Sequence, residues 1–518
     1  MSAVPLARDV AAVAAAAGCV ALLVRPERGP LPLARRAAGL ALLVAGWVAL
    51  AVTLIPDRVA HDVSRVLSRP ITAVAAVLAV AAGVAAFVLL VRLTLRRPTA
   101  WFVLLALVLP LRVPITVGGR EANLLVPLYA VIAVGLAAWL WGRARGRLGP
   151  DGERGAALDL PIAAFVAFTL LSTVWSSDGS QAAIKAVAFY IPFVVLYRLV
   201  VAWWPRARAL RALAVTTLAM AVPVALFAIA QYLTREVFWN HRLQQSNVYS
   251  SFFRVNGIFY DPNILGRYLV LALLVTVGVA LATTSRRTLL ALAGLAACYL
   301  GGLAVTFSRS SALALMVGLA LLAVRAFGTR RTLAVGGLVL VVLGSAAALR
   351  SHNVRRAFTS SARFERVSEG RLDLVRGGVE IWREAPVVGT GLGSFEAEYQ
   401  QRLTRRERAR TRVIISHNAP VTVLTELGAV GFALLLALIS WTAVVIVRSA
   451  RAPGAQGLAE WVMLALLASI LVHSLLYSAL FEDPYTWTVA GAAIGLAGRR
   501  RAEAPTPAPR PPEPVPVA

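Results

Sequence analysis

Cysteine and lysine are almost absent from this sequence. The two cysteines, Cys19 and Cys298, both lie inside apolar segments, so they can form neither a disulfide framework nor a zinc ligand set. Arginine replaces lysine almost completely, which indicates a GC-rich genome rather than a function. Charged residues make up only 15% of the 518 residues, and the sequence shows no repeat of fixed period and no soluble catalytic domain.

Apolar residues, by contrast, are abundant. They form 59% of the chain, with a mean hydropathy of +0.74, which is more apolar surface than one soluble core could bury. About fifteen apolar windows are long enough, at roughly 17 to 25 residues, to cross a bilayer as helices. The windows are continuously apolar rather than alternating, which favours helices over a barrel. We therefore predict an all-α polytopic integral membrane protein with about 14 to 15 transmembrane helices.

The arginines in the short linkers predict the orientation of the chain. Alternate linkers carry most of them, for example Arg286 and Arg287, or Arg448 and Arg451, and the positive-inside rule makes these linkers cytoplasmic. The linker at about 234–262 and the long stretch at 350–418 then face outward. Anionic lipid headgroups account for most of the net charge of +27, so we predict a bilayer and no nucleic acid as the partner of these arginines.

The same pattern divides the chain into five parts. They are N-terminal transmembrane helices (1–157), core transmembrane helices (158–349), one extracytoplasmic loop (350–418), C-terminal transmembrane helices (419–501) and a disordered, proline-rich cytoplasmic tail (502–518).

The long loop has enough pattern to contain short helices. Leu372, Val375, Val379 and Trp382 recur at three- and four-residue spacing, which predicts an amphipathic helix over about 370–384. A proline ends this helix, and a turn with three glycines, Gly389, Gly391 and Gly393, follows. The arginine-dense stretch 402–412 is a second helix candidate.

Four motifs occur in order around this loop. They are RVNGIFYDPNILGRYL from Arg254, SRSS from Ser308, EGRLDLVRGGVEIWREAPVVGTGLGSFEAEY from Glu369 and SHNAPVTVLTELGAVG from Ser416. In this order and membrane setting the chain resembles the O-antigen ligase and polymerase superfamily, over roughly 161–498.

The resemblance implies a C-type membrane glycosyltransferase that acts at the outer face of the cytoplasmic membrane. Such an enzyme takes a glycan from an undecaprenyl diphosphate carrier and passes it to a hydroxyl group of a glycan or glycolipid acceptor. The acceptor is lipid A core for ligases and a second carrier-linked glycan for polymerases. The resemblance also implies that no metal ion and no cofactor is needed.

Arginines are suited to the leaving group of this reaction. A diphosphate gains negative charge as the glycosidic bond breaks, and guanidinium groups can bind its oxygens in pairs. We predict diphosphate contacts for four of them, Arg254, Arg309, Arg371 and Arg376. The alternatives are a headgroup anchor for Arg254 and, for Arg309 at the tip of a presumed outer-facing helical hairpin, a snorkelling side chain.

His417 is the predicted catalytic base. An imidazole with an unperturbed pKa of about 6.5 can accept the proton of an attacking sugar hydroxyl at ordinary pH. His417 lies at the end of the loop, at the outer membrane surface, where carrier and acceptor must meet. Asn418 is predicted to orient it or the acceptor. Glu426 lies about two and a half helical turns further on, where a carboxylate needs a partner, and we predict an ion pair with a buried arginine such as Arg309.

Other polar residues are assigned supporting or structural roles. Asn263 is predicted to assist at the site or to cap the following helix with Asp261, and Gly389 and Gly391 are predicted to allow a tight turn. His473 is interpreted as an interhelical hydrogen-bond partner, and Lys185 as a snorkelling side chain.

The predicted reaction is a direct displacement at the anomeric carbon, which inverts its configuration. A transporter or flippase for a lipid-linked or anionic substrate is the alternative, and it predicts discontinuous helices with charges near the bilayer midplane. Whether the enzyme is a ligase or a polymerase is left open by the sequence.

Overall fold

The computed structural model describes most of the chain. The described residues are 3–24, 33–55, 70–117, 120–146, 158–203, 207–238, 240–249, 252–338, 371–405, 416, 418–450 and 455–503. His417, the loop residues 350–370 and most of the predicted tail lie outside them.

The first half of the chain contains nine helices and one hairpin in the described residues. The helices are α1 (Ala3–Leu23), α2 (Leu33–Val52), α3 (Pro70–Arg96), α4 (Pro98–Val108), α5 (Val126–Ala144), α6 (Asp159–Leu171), α7 (Gly179–Lys185), α8 (Ile191–Trp203) and α9 (Ala207–Thr234). Short 3-10 and π turns, Ser172–Trp175 and Ala186–Tyr190, precede α7 and α8.

The second half contains nine helices in the described residues. Its elements are α10 (His241–Tyr249), α11 (Pro262–Leu281), α12 (Arg286–Ala304), α13 (Arg309–Phe327), α14 (Arg371–Glu384), α15 (Phe395–Arg402), α16 (Ala419–Ala450), α17 (Ala455–Ser474) and α18 (Pro484–Glu503). The predicted loop helix at 370–384 corresponds to α14.

The polytopic membrane fold is confirmed. Ten helices in the described part of the chain are long and apolar enough to span a membrane, and the predicted window at 332–349 lies mostly outside the described residues. Three further apolar helices are shorter, at Ala37–Val52, Pro98–Val108 and Asp159–Trp175. An apolar window of the right length is therefore not always one continuous spanning helix.

The described part of the chain also contains a β-hairpin, which the all-helical prediction missed. Val113–Val117 and Arg120–Leu124 pair antiparallel, with Val113 opposite Leu124. Three of the five residues in the first strand are valine or isoleucine, which favour strands. The two residues between the strands are Gly-Gly, a common hairpin signal.

Small residues allow the helices to pack closely, as expected in a membrane. A Cβ added at Gly18 in α1 would lie 2.4 Å from the Leu43 nitrogen in α2. A Cβ at Gly318 in α13 would lie 2.5 Å from Ser469 Oγ in α17. By contrast, none of the apolar window of α3 is buried inside the protein, so this helix is suited to contact with lipid.

Two helix irregularities bring polar groups to the same end of the bundle. The π turn Ala186–Tyr190 follows Lys185 directly, and the long helix α16 is broken at Gly428, whose φ is 63°. Helix irregularities of this kind often accompany functional groups. Here they flank the ion pair of Lys185 and Glu426.

Candidate active site

The linkers that were predicted to face outward meet at one end of the bundle, which we call the site face. It is formed by residues 172–185, 254–263, 305–309, 385–394, 418–428 and 473–485. Three hydrogen bonds illustrate how it is joined: Ser177 N to Thr390 O (3.2 Å), Arg254 Nε to Thr306 O (3.1 Å) and Asn418 Nδ2 to Leu475 O (3.0 Å).

Arg254 is held on both its backbone and its side chain. Asn247 donates to the Arg254 carbonyl (2.9 Å) and accepts from its N–H (3.0 Å). The guanidinium donates to Thr306 O (3.1 Å) and to Asn263 Oδ1 (3.3 Å). These contacts use two of the five N–H groups of a guanidinium, which leaves several to bind an anion. The contacts favour a fixed cation at this position over a flexible headgroup anchor.

Asp261 and Asn263 have different roles. Asp261 caps α11, since its Oδ1 accepts from the Asn263 N–H (2.6 Å), and Pro262 follows at the first helical position. The Asn263 side chain instead accepts from Arg254 and from Ser308 Oγ (2.8 Å). The predicted cap is therefore Asp261, while Asn263 belongs to the arginine site.

Arg309 lies at the start of α13, beside this cluster. Ser308 caps the helix, and Arg309 itself is exposed. The two helices are joined by the short turn 305–308, so Arg309 lies at the tip as predicted, although α12 packs mainly against α11 and α13 mainly against α17 rather than against each other. The turn between them places Phe307 at a φ of 49°, an uncommon conformation for a residue other than glycine.

The structure places Arg371 and Arg376 on α14. The Arg371 side chain lies outside the described parts of the structure, while Arg376 is exposed and pairs with Asp373 at 3.6 Å. The opposite face of α14 packs against α16: Thr425 Oγ1 donates to Gly378 O (3.1 Å). None of the described contacts joins Arg376 to the cluster around Arg254.

The glycine turn has the structural role predicted for it. Gly389 and Gly391 have φ values of 70° and 95°. The Gly391 N–H donates to Glu426 O (2.8 Å), and the Ala429 N–H donates to Pro386 O (2.9 Å). The turn thus supplies partners for backbone groups on either side of the break at Gly428 and fastens the loop to α16.

Gly391→Ala provides a direct test of this docking. A Cβ at Gly391 would lie 2.3 Å from Ser176 Cα, on backbone that cannot move aside easily. We expect a loss of at least about 1 to 3 kcal/mol in stability, from the positive φ and the overlap together, measured by thermal unfolding in detergent. Gly294→Ala is the control, since nothing lies within 4 Å of its added Cβ. Equal melting temperatures for the two variants would contradict the assignment.

Glu426 has an ion-pair partner, but it is a lysine. Lys185 Nζ lies 3.1 Å from Glu426 Oε1 and 3.5 Å from Glu482 Oε1. The Glu426 side chain is only 5% exposed. Glu426 was predicted to form an ion pair, with an arginine such as Arg309 as its partner; the ion pair is present, with Lys185 in place of the arginine. A compact ammonium can bridge two carboxylates that approach from different elements.

The chain on either side of His417 is anchored at the site face. Ser416 is buried, and its Oγ accepts from the Asn418 N–H (3.2 Å). Asn418 accepts from the Val421 N–H (3.0 Å), which caps α16, and donates to Leu475 O (3.0 Å). His417 itself lies outside the described residues, so its role stays a prediction.

A buried polar cluster next to Arg309 was missed by the sequence reasoning. His473 Nε2 contacts Ser310 Oγ (3.2 Å), and Arg267 Nη2 lies 2.9 Å from His473 Nδ1. Arg267 Nη1 also donates to Asp483 Oδ2 (2.5 Å). His473 is an interhelical partner, as interpreted, but it belongs to a charged network rather than to an isolated contact.

A signal for these residues was present in the sequence. Arg267 and His473 interrupt apolar windows, and ionisable residues inside such windows are functional candidates by default. Lys185 is the single lysine of a chain with 52 lysine and arginine residues in all, and it too lies near the end of an apolar window, which makes it a candidate for a specific polar contact. The partners themselves could not be inferred, because 241 residues separate Lys185 from Glu426.

Comparison with known families agrees with this part of the chain. Residues 294–436 match the family described as O-antigen ligase. The match contains the serine motif, the loop and His417, and it excludes Arg254, Lys185 and His473. It confirms the resemblance to the O-antigen ligase and polymerase superfamily. No curated protein matches the chain.

Proposed function

We propose that this chain, a multi-pass membrane protein of the O-antigen ligase and polymerase superfamily, transfers a glycan from an undecaprenyl diphosphate carrier to an acceptor hydroxyl. The reaction would take place at the outer face of the bacterial inner membrane. The observation that carries the proposal is that Arg254 is anchored to the turn that precedes Arg309. Asn418, next to His417, is bonded to Leu475, two residues after His473, which contacts Ser310 at the same turn.

The site residues fit a direct displacement. The acceptor oxygen attacks the anomeric carbon and gives its proton to His417. The bond from that carbon to the diphosphate oxygen breaks, and its electron pair leaves with the diphosphate. Arg254 and Arg309, with Arg371 contributed by the loop, neutralise the charge that develops. Attack from the face opposite the leaving group inverts the configuration, and guanidinium groups take the place of a metal ion.

An apolar cleft supports the proposed lipid-linked donor. It has a volume of about 180 Å³ and is lined almost entirely by apolar side chains of α6, α16, α17 and α18. One part of its lining, Leu480 and Phe481, directly precedes Glu482 and Asp483 of the site face. A cleft of this size can take only a part of an undecaprenyl chain, and a chain segment held there next to Leu480 and Phe481 would have its diphosphate close to the polar residues.

A transporter or flippase is the second candidate, favoured by a specific observation. Helix α16 is discontinuous at Gly428, and a buried ion pair of Lys185 and Glu426 lies beside the break. Discontinuous helices with charged groups are typical of transporters. The two candidates differ in chemistry, because only a transferase breaks the bond to the carrier.

Reconstitution separates these candidates. The protein is placed in liposomes with the glycolipids of a strain that lacks it, carrier-linked donors and glycolipid acceptors together, and undecaprenyl diphosphate is measured by mass spectrometry. We expect release of undecaprenyl diphosphate with the wild-type protein and a loss of about 10²-fold or more with Arg254→Ala. Movement of glycolipid across the bilayer without release would identify a flippase and refute the transferase.

The same extract indicates the reaction class. Loss of a ligase leaves long carrier-linked chains, whereas loss of a polymerase leaves single repeat units.

A further inference from the structure

We propose that His473, held by Arg267 and Asp483, is a positioning residue that fixes Arg254 through a chain of hydrogen bonds. The inference rests on the proposed function, because it assigns Arg254 to the donor diphosphate. It adds a set of residues on α11, α13, α17 and the start of α18 that would not touch the substrate. Most of them lie outside the stretch that matches the ligase family.

The chain of contacts is continuous from Asp483 to Arg254. Asp483 accepts from Arg267, which also contacts His473 Nδ1. Each remaining contact joins neighbouring polar atoms: His473 Nε2 to Ser310 Oγ (3.2 Å), Ser310 Oγ to Ser308 Oγ (3.1 Å), Ser308 Oγ to Asn263 Oδ1 (2.8 Å) and Asn263 Oδ1 to Arg254 Nη2 (3.3 Å).

The direction of each hydrogen bond in this chain follows from which groups can only donate and which can only accept. A guanidinium has only donors, so His473 Nδ1 must accept from Arg267. The imidazole is then neutral with its proton on Nε2, and this N–H donates to Ser310 Oγ. Ser308 gives its single hydroxyl proton to Asn263 and therefore accepts from Ser310. A doubly protonated ring would place an N–H against Arg267 and break the chain.

Burial makes this arrangement rigid. His473 is fully buried, and Arg267 and Ser310 are 2% and 3% exposed. Water cannot readily replace a lost partner at such depth, so each bond constrains the next. Asp483 in addition accepts from the Tyr485 N–H (2.9 Å) at the start of α18. Side chains on α11, α13 and α17 therefore fix the orientation of the Asn263 amide. The Asn263 amide in turn fixes one side of the Arg254 guanidinium.

A double-mutant cycle tests whether His473 acts through Arg254. Transfer is measured in the reconstituted system as kcat and as KM for the donor. We expect His473→Leu to lower kcat/KM on the order of tenfold, through kcat and KM together, because Arg254 both binds the donor diphosphate and neutralises the charge that develops on it. In an Arg254→Ala background the same substitution should change kcat/KM by less than about twofold, because the group it positions is gone. His473→Gln, which keeps an acceptor and a donor, should recover part of the loss.

Two further variants keep the test decisive if His473→Leu folds poorly. Ser310→Ala interrupts the chain by removing one hydroxyl and should show the same dependence on Arg254. Ser469→Ala is the matched control, because Ser469 Oγ donates to Ala314 O (2.8 Å) between the same two helices but outside the chain. It should leave KM unchanged.

The outcomes are distinguishable. If the wild-type protein transfers glycan and the losses from His473→Leu and Arg254→Ala simply multiply, the positioning role is wrong and the proposed function stands. If the wild-type protein releases no undecaprenyl diphosphate, the proposed function fails, and this inference fails with it.

Discussion

We expect the His417→Ala protein to insert normally into the membrane and to lose about 10²- to 10⁴-fold in glycan transfer, the usual contribution of a general base. Without the imidazole, the acceptor hydroxyl must attack while it still carries its proton, or lose that proton to water. The measurement is release of undecaprenyl diphosphate in the presence of acceptor, with membrane levels of the protein compared by immunoblot.

His241→Ala is the matched control for this variant. His241 lies at the start of α10 in a predicted outward linker, is exposed and contacts Gln244 (3.1 Å). Its replacement should leave the transfer rate within about twofold, because surface substitutions away from special contacts have small effects. Full transfer activity in the His417→Ala protein would refute the assignment of the base.

The class of fold could be predicted because it depends on composition and on the length of apolar runs. The exact extent of each helix depends on more than apolar length. The window around Pro98–Val108 holds a helix of only 11 residues, followed by a strand from Val113. Hydropathy measures how apolar a segment is, and it does not determine where the backbone changes from helix to strand.

Local features of the site were also accessible from sequence. Asp261 before Pro262 predicts a helix cap, and the spacing of the loop glycines predicts a tight turn; the structure has both. Each of these features is determined by residues a few positions apart. The chain therefore specifies them without knowledge of the rest of the fold.

Long-range partners were beyond the sequence. The sequence shows that the carboxylate of Glu426 needs a cationic partner. It does not show which cation this is, because several arginines are equally plausible partners. Lys185 was selected by packing: the π turn after it and the break after Glu426 bring the two elements together. The pairing of Arg267 with Asp483, 216 residues apart, was missed for the same reason.

Lys185→Met should be the most destabilising of the substitutions proposed for the site face. Removal of the ammonium leaves Glu426, with a side chain 5% exposed, without its cation. Breaking a buried ion pair in this way costs about 3 to 5 kcal/mol. We expect a large fall in the thermal unfolding midpoint in detergent, together with loss of glycan transfer, because the glycine turn and the chain next to His417 are both fastened to this part of α16.

A second substitution should restore the stability lost in Lys185→Met, and a surface variant serves as its control. Lys185→Met combined with Glu426→Gln should recover much of the stability, since no buried charge is then left unpaired. Arg402→Met removes a cation that pairs with Glu384, which is 67% exposed, and with Glu398, which is 16% exposed. Because both carboxylates keep contact with solvent, this substitution should cost clearly less than Lys185→Met, about 1 kcal/mol. If Lys185→Met is no less stable than Arg402→Met, the ion pair does not hold α16 to α7, and the assignment of its structural role is wrong.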